Sequence, residues 1–393
     1  MVDMILYQLN PYKRKEIRIT MQNKLALLLM VLFLFISTVA CTGQQLFSTT
    51  SWSPIVQAGE HLAMGTKKGE LIIFDHRNGA QIGKCLTGEG RNGTQAIYGT
   101  PLFHEGSIFV GGFDGSIYKI PINSVSNNFD EQPCPLFYDP EPGTNTDPFI
   151  GGAAIINNTL LISSESGRLY GINIANGIPV WNTPFKSNGK TWDSPTINNE
   201  MLFIGTLNGT VHALAIDTIG GTFQEVWQFQ ADAGIGSISL DGNSLYISAF
   251  DNRLYSLNVN TGEPMWLKPF EANNWFWASP LVYEGKLYAP SLDSTIYVLD
   301  QKTGNLHTSI QTGGAIRGSA GRIDDMIVVA NEEGEIWWID SQTLHAEAGG
   351  KLPEPNYAPV MTYDEKYIIH AEDDIVLTVT KNQRMPTKIF PLE

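Results

Sequence analysis

Apolar and polar positions alternate with period two over short stretches of this chain, as in Leu287-Tyr288-Ala289 and Thr295-Ile296-Tyr297-Val298-Leu299. Glycine- and Asp/Asn-containing pairs such as Glu284-Gly285, Asp293-Ser294 and Thr303-Gly304 separate these stretches. No helical periodicity intervenes, so the pattern predicts short antiparallel strands joined by tight turns, four to a unit. The unit itself returns eight times. It reads small-Ser/Thr-Pro, an apolar strand, a small pair, two residues and Gly, then a second apolar strand ending in Asp/Asn. One copy runs from Ser194-Pro195 through Gly205-Thr206-Leu207-Asn208-Gly209 to Val211–Asp217 and closes on Val226-Trp227. The small-residue position of the central hairpin falls at Gly65, Gly111, Ser163, Gly205, Ser248, Pro290, Ala330 and His370, spacings of 40 to 52 residues.

A four-stranded sheet of this size cannot cover both of its faces, whereas eight such sheets stacked radially cover one another and leave only short edges. The chain is therefore read as all-β, an eight-bladed β-propeller of four-stranded antiparallel blades spanning residues 51–393. A parallel solenoid is the alternative, but its repeats usually run below about 30 residues. The eighth unit supplies three evident strands and a short fourth at Thr387–Phe390, and Gln45–Ser48 is the expected additional outer strand joining the chain ends.

Residues 1–40 stand outside that pattern. Leu25 to Ala40 is an uncharged apolar run of sixteen residues, preceded by Lys24 and followed by Cys41. It is shorter than the roughly 20 residues that span a bilayer, and it ends on small residues, so it reads as a secretory signal rather than an uncleaved anchor helix. Met21 alone could open a normal signal, which makes residues 1–20 a candidate misassigned start. Thr38-Val39-Ala40-Cys41 resembles the lipobox of bacterial lipoproteins, with Thr38 in place of the usual Leu; the resemblance implies a lipidated Cys41 at the head of a linker over residues 41–50.

Removing residues 1–40, which hold five Lys/Arg against two acids, takes the formal net charge from −15 to −18. No basic stripe remains, which argues against nucleic acid and against electrostatic adhesion to anionic lipid. Membrane attachment is then expected through the lipid, in an extracytoplasmic compartment. The other two cysteines, Cys85 and Cys134, are an even pair in a secreted domain and so a candidate disulfide. They end the outer strands of neighbouring units, where they meet if those strands run close and stay unpaired if the strands splay apart.

Asn173 to Trp181 and Asn258 to Trp266 share the pattern Asp/Asn-x-x-x-Gly-x-x-x-Trp. This resembles the tryptophan-docking repeat of pyrroloquinoline-quinone-type propellers, and the resemblance covers about residues 51–390. His307 stands where that Trp belongs in a third copy, and the copy at Asp340 to His345 has lost its Gly as well. Such a Trp packs between sheets, a structural task. One branch of the family, the quinoprotein dehydrogenases, implies quinone and calcium and oxidation of alcohols or sugars. Its members are longer, and the alcohol-oxidising ones carry a vicinal Cys-Cys pair that this chain lacks. The other branch comprises non-enzymatic periplasmic lipoproteins such as the propeller subunit of the outer-membrane β-barrel assembly machinery, whose signal, length and repeat count are similar.

Candidate chemistry is sparse. The seven His are scattered with no ligand spacing, so no metal site is expected. Asp147, Asp193, Asp251 and Asp293 could supply carboxylates, but Asp251 and Asp293 sit where turn geometry calls for Asp/Asn. No nucleophile elbow, phosphate loop or EF-hand string occurs. The repeat frame instead places Tyr98, Trp192, Ile235, Trp277, Arg317 and Tyr357 (or Asn356) at the entry to the innermost strands, near the mouth of a central channel, beside Gly99, Gly152, Gly236 and Gly318. Within Asn274-Trp275-Phe276-Trp277 the alternation puts Trp275 and Trp277 on one face. Aromatic side chains with one Arg form a hot-spot composition, and the competing reading is that Trp192 and Trp277 plug the channel as core. The expectation is a lipid-anchored protein-binding scaffold with no cofactor, not an enzyme, with an extracytoplasmic or outer-membrane protein as its partner. A calcium- and quinone-dependent dehydrogenase and a carbohydrate-binding or sensor propeller are the alternatives.

Overall fold

The computed structural model describes residues 53–88, 96–124, 133–141, 147–199 and 201–391. Thirty-two strands form eight separate four-stranded antiparallel sheets, each built from four consecutive strands. Blades 1 to 8 cover residues 56–86, 102–138, 153–186, 196–230, 235–271, 281–311, 321–351 and 361–390. The chain is an eight-bladed β-propeller. Blade 8 completes itself with Thr387–Phe390, which pairs with Ile375–Val379. The expected outer strand at Gln45–Ser48 lies outside the described residues, as does Cys41.

Alternation explains the packing. In most blades the second and third strands are buried almost throughout, as in Ser107–Gly111 and Thr295–Asp300, because both of their faces meet neighbouring sheets. The apolar side chains gather into eight clusters, and every cluster is shared by two adjacent blades. The eighth joins Leu62, Met64, Ile72 and Phe74 of blade 1 to Ile368, Val376, Ile389 and Phe390 of blade 8. There the Phe74 and Phe390 rings stack at 5.2 Å between centroids, and His370 Nδ1 meets the Ser53 carbonyl at 2.8 Å. The ring thus closes by side-chain packing between its first and last blades.

The docking tryptophans also tie blade to blade. Trp227 donates its indole N–H to the Val259 carbonyl of the next blade at 3.2 Å, and Trp266 donates to Gln301 at 3.0 Å. Each indole lies on the turn glycine of that next blade. A Cβ on Gly262 or Gly304 would approach the Trp227 or Trp266 ring to 2.6 Å, and both glycines have φ near +70°. Where the tryptophan is replaced by His307 the side chain is exposed. The following turn then carries Leu344 at φ 57°, which packs into the seam that an indole would have filled.

Cys85 and Cys134 are disulfide-bonded, with Cα atoms 4.8 Å apart. The outer strands do not need to converge for this. Residues 133–134 leave blade 2 and run parallel to the end of the blade 1 outer strand, with the Cys134 N–H donating to the Leu86 carbonyl at 2.8 Å.

Candidate functional site

One face of the ring carries, for every blade, the loop entering the innermost strand and the turn between the second and third strands. Backbone hydrogen bonds pin the first over the second at one recurring position. The third residue of the turn donates its N–H to the entry loop in Phe113→Ala96, Glu165→Pro148, Leu207→Lys190, Leu292→Trp275, Glu332→Ala315 and Glu372→Pro355. In these blades the entry loop therefore lies directly over the turn.

Backbone crowding holds these entry loops in place. A Cβ at Gly99, Gly151 or Gly318 would collide with the carbonyl oxygen of Gly151, Asp193 or Ala358 in the next blade, and one at Gly236 with Phe276. Gly152 packs against Ser194 and Thr100. Small residues are required here because neighbouring backbones approach to contact; the larger side chain one position earlier then stands clear of the seam.

Five of the seven mouth candidates, Trp192, Trp275, Trp277, Arg317 and Tyr357, come together, whereas Ile235 is buried in the core shared by blades 4 and 5. The Trp277 ring lies 6.1 Å from Trp192, across the intervening blade 5, and 5.2 Å from Phe250. Phe250 also stacks on Trp275 at 4.9 Å with an interplanar angle of 29°. On the other side of Trp277 the Arg317 guanidinium sits over its ring with Cζ 5.3 Å from the centroid, and over Tyr357 at 5.8 Å. Arg317 Nε donates to Glu332 Oε1. Trp275 is 43% exposed while Phe276 between the two tryptophans is fully buried, so Trp275 and Trp277 do share a face. Tyr98 does not join this group: it is buried and packs edge-on against Phe113, at 5.7 Å.

The sequence reading missed Phe250. It occupies the third turn position, which the frame treats as plain turn, yet an aromatic there, as at Phe113, is the visible signal. Around the rest of the mouth that same position holds Leu207 and Leu292 in blades 4 and 6 but the charged Lys67, Glu165, Glu332 and Glu372 in blades 1, 3, 7 and 8. One side of the mouth, over blades 4 to 6, is therefore apolar and aromatic, and the side over blades 7, 8 and 1 is charged. On the charged side, burial and the adjacent Asp373 raise the Glu372 carboxyl above its ordinary range. Burial likewise raises the Tyr357 phenol.

Asp193 takes the position that is glycine in blades 2, 3, 5 and 7. Part of the residue is exposed, but its carboxylate turns into the seam between blades 4 and 5, where it accepts the N–H groups of Ile238 and Ser194, each at 2.8 Å. Desolvation outweighs those two bonds and pushes the carboxyl up to about 7. Asp251 and Asp293 serve their turns: they accept the N–H of Arg253 and Thr295 and the hydroxyls of Tyr255 and Tyr297. Asp147 accepts from Ser164 and from Ser166 through both its hydroxyl and its N–H, which orders the blade 3 turn. Among the described residues no group of three or more His, Cys, Asp or Glu side chains converges on a common point. The chemistry available at the mouth is ring stacking, cation–π contact and ion pairing, which suits recognition of another chain.

Comparison with known proteins extends this. The family model described as outer membrane protein assembly factor BamB matches residues 38–135, 139–222 and 209–356. Proteins named outer membrane protein assembly factor BamB from Taylorella asinigenitalis and Shewanella oneidensis are each 24% identical. The first alignment covers 47% of this chain and 50% of that protein, the second 39% and 42%. The chain thus spans about half the length of the relatives it matches. In fold, the computationally designed Ika8 protein superposes with a TM-score of 0.68 at 14% identity, covering 84% of this chain and 96% of its own. BamB from Moraxella catarrhalis does so with 0.62 at 15% identity, covering 84% and 94%. With the family model matching well over half of its residues, the chain belongs to the family of the outer membrane protein assembly factor BamB.

Proposed function

We propose that this chain is a lipid-anchored extracytoplasmic scaffold that binds a protein partner through its channel mouth and acts, like the assembly factors it is related to, in outer membrane protein assembly. The observation that carries the reading is the continuous array of Trp275, Phe250, Trp277, Arg317 and Tyr357, drawn from three different entry loops and one turn. Trp192 and Trp277, the two side chains that a plug would bury, are only half-buried, and Trp275 beside them is 43% exposed. The anchor rests on Cys41 and the apolar run before it. A single acyl chain gives only marginal attachment, so stable retention takes two or more.

One experiment tests both halves. Wild type, Cys41→Ser and the double variant Trp275→Ala with Arg317→Ala are expressed in the native host, fractionated and crosslinked. Cys41→Ser moves to the soluble fraction. The double variant stays membrane-bound with a nearly unchanged melt but loses its crosslinked envelope partner, since truncating interface anchors costs about 2 kcal/mol or more. A melt lowered by many degrees makes these residues core, and turnover of an alcohol or sugar with added quinone and calcium makes the protein an enzyme; either result sinks the proposal.

A further inference from the structure

The hairpin between the second and third strands of blade 8 departs from the repeat at two positions, and the two side chains meet. The residue that opens this hairpin is Gly, Ser, Pro or Ala in blades 1 to 7, whereas blade 8 carries His370. Four residues on, the turn closes at positive φ on Gly in blades 1, 2, 3, 4 and 7 and on Asn252 and Ser294 in blades 5 and 6; blade 8 carries Asp374 there, at φ 58°. Glycine suits that conformation best, so the turn itself gains nothing from the carboxylate.

His370 is fully buried. Its Nδ1 lies 2.8 Å from the Ser53 carbonyl, and because a carbonyl only accepts, Nδ1 is the nitrogen that carries the proton. The neutral ring then presents a lone pair at Nε2. That lone pair faces Asp374 Oδ1 at 3.5 Å. Both atoms are buried and neither has a hydrogen-bond partner, while Lys67 of blade 1 pairs with the adjacent Asp373. Two buried acceptors set face to face repel each other unless a positive centre stands between them. A shared proton would draw them to about 2.7–2.9 Å, the length of a charge-assisted N–H···O bond. Two donors on one metal ion, at bond lengths of about 2.0–2.2 Å and a tetrahedral angle, lie about 3.3–3.6 Å apart instead. The observed separation matches the metal. The bond from Nδ1–H to the Ser53 carbonyl is also the one that a metal-bound imidazole commonly makes with its other nitrogen.

We infer that His370 Nε2 and Asp374 Oδ1 are the protein ligands of a binding site for one first-row divalent cation, with Zn²⁺ as its probe. An imidazole beside a carboxylate suits such an ion better than Mg²⁺, which takes oxygen donors. Among the described residues no third His, Cys, Asp or Glu joins the pair, so the remaining coordination positions fall to water. The Asp374 side chain keeps 15% exposure while that of His370 has none, so the ion enters from the turn. Bound there, it fastens the turn of blade 8 to the strand whose His370 reaches Ser53, and so stabilises the seam at which the ring closes. The site uses none of the aromatic array at the mouth and is independent of the function proposed for it.

The test strips the full mature protein with a chelator and titrates it with Zn²⁺. Binding is followed by calorimetry, by the melting midpoint and by the nitrogen resonances of the His370 ring, assigned through their loss in His370→Gln. One equivalent of Zn²⁺ is expected to bind, to raise the midpoint as its concentration rises, and to shift Nε2 while Nδ1 keeps its proton. Mg²⁺ at the same concentration should do none of this. Asp374→Gly restores the residue that five other blades carry at this turn, so its zinc-free melt should be at least as high as that of the wild type, and it should bind Zn²⁺ at least about tenfold more weakly. His370→Gln should lose the response to Zn²⁺ as well. Undiminished binding in either variant puts the ion elsewhere and overturns the inference. So does a His370 ring that carries protons on both nitrogens and ignores Zn²⁺, which would make the two residues a plain ion pair.

Discussion

The guanidinium of Arg317 lies over the ring of Trp277, Cζ 5.3 Å from the centroid. The two residues enter from adjacent blades, so this contact couples blade 6 to blade 7 at the rim of the channel. A partly exposed cation–π pair contributes about 0.5–1 kcal/mol. A double-mutant cycle of Trp277→Ala and Arg317→Ala should therefore return a coupling of that size in chemical unfolding, in excess of what the single changes cost separately. Strict additivity would mean that the two side chains do not sense each other in solution.

Asp193 predicts a pH dependence of definite sign. Its carboxyl is pushed from 3.8 up to about 7 in the folded chain, chiefly by burial. Between pH 4 and 7 the native state therefore keeps a proton that the unfolded chain releases, and stability drawn from this group falls as pH rises through the folded pKa. Wild type should lose stability between pH 5 and pH 8 relative to Asp193→Asn, which has no proton to lose. Parallel pH profiles for the two proteins would show that the carboxylate stays solvated.

Closure of the ring makes a third prediction. Phe390 is 7% exposed and stacks on Phe74 of the first blade. Truncating a buried Phe typically costs about 3–5 kcal/mol. Phe390→Ala should accordingly lower the melting midpoint of the whole propeller in one cooperative step, and deleting residues 384–393 should lower it further. A separate low-temperature transition confined to blade 8, read by hydrogen exchange, would instead show that the last blade opens alone and that the 8–1 seam is not what holds the ring.

Most of the architecture is legible in the sequence, because period-two alternation and a repeat near 40 residues are local properties. The turn glycines and docking tryptophans show why. Gly262 and Trp227 look like independent repeat landmarks in the sequence, yet they are one contact across a seam, so the repeat preserves both. The pairing of Trp275 with Trp277 on one face followed from alternation alone. Phe250 did not, since nothing in a turn tetrapeptide says which way its third side chain points until two loops are stacked. Tyr98 was placed with the others by its repeat position but is covered by Phe113, a neighbour no repeat frame supplies.

By itself, then, the order of residues determined the strands, the number of blades and the positions that recur in each unit, since each depends on spacing within about 40 residues. Only the tertiary structure decided which of those positions converge. It brought residues 133–134 alongside the blade 1 outer strand so that Cys85 and Cys134 meet, turned the Asp193 carboxylate into a dry seam, and left the Trp181 indole without the acceptor that Trp266 finds. In each case the deciding quantity is a distance between segments tens of residues apart, set by how neighbouring sheets pack.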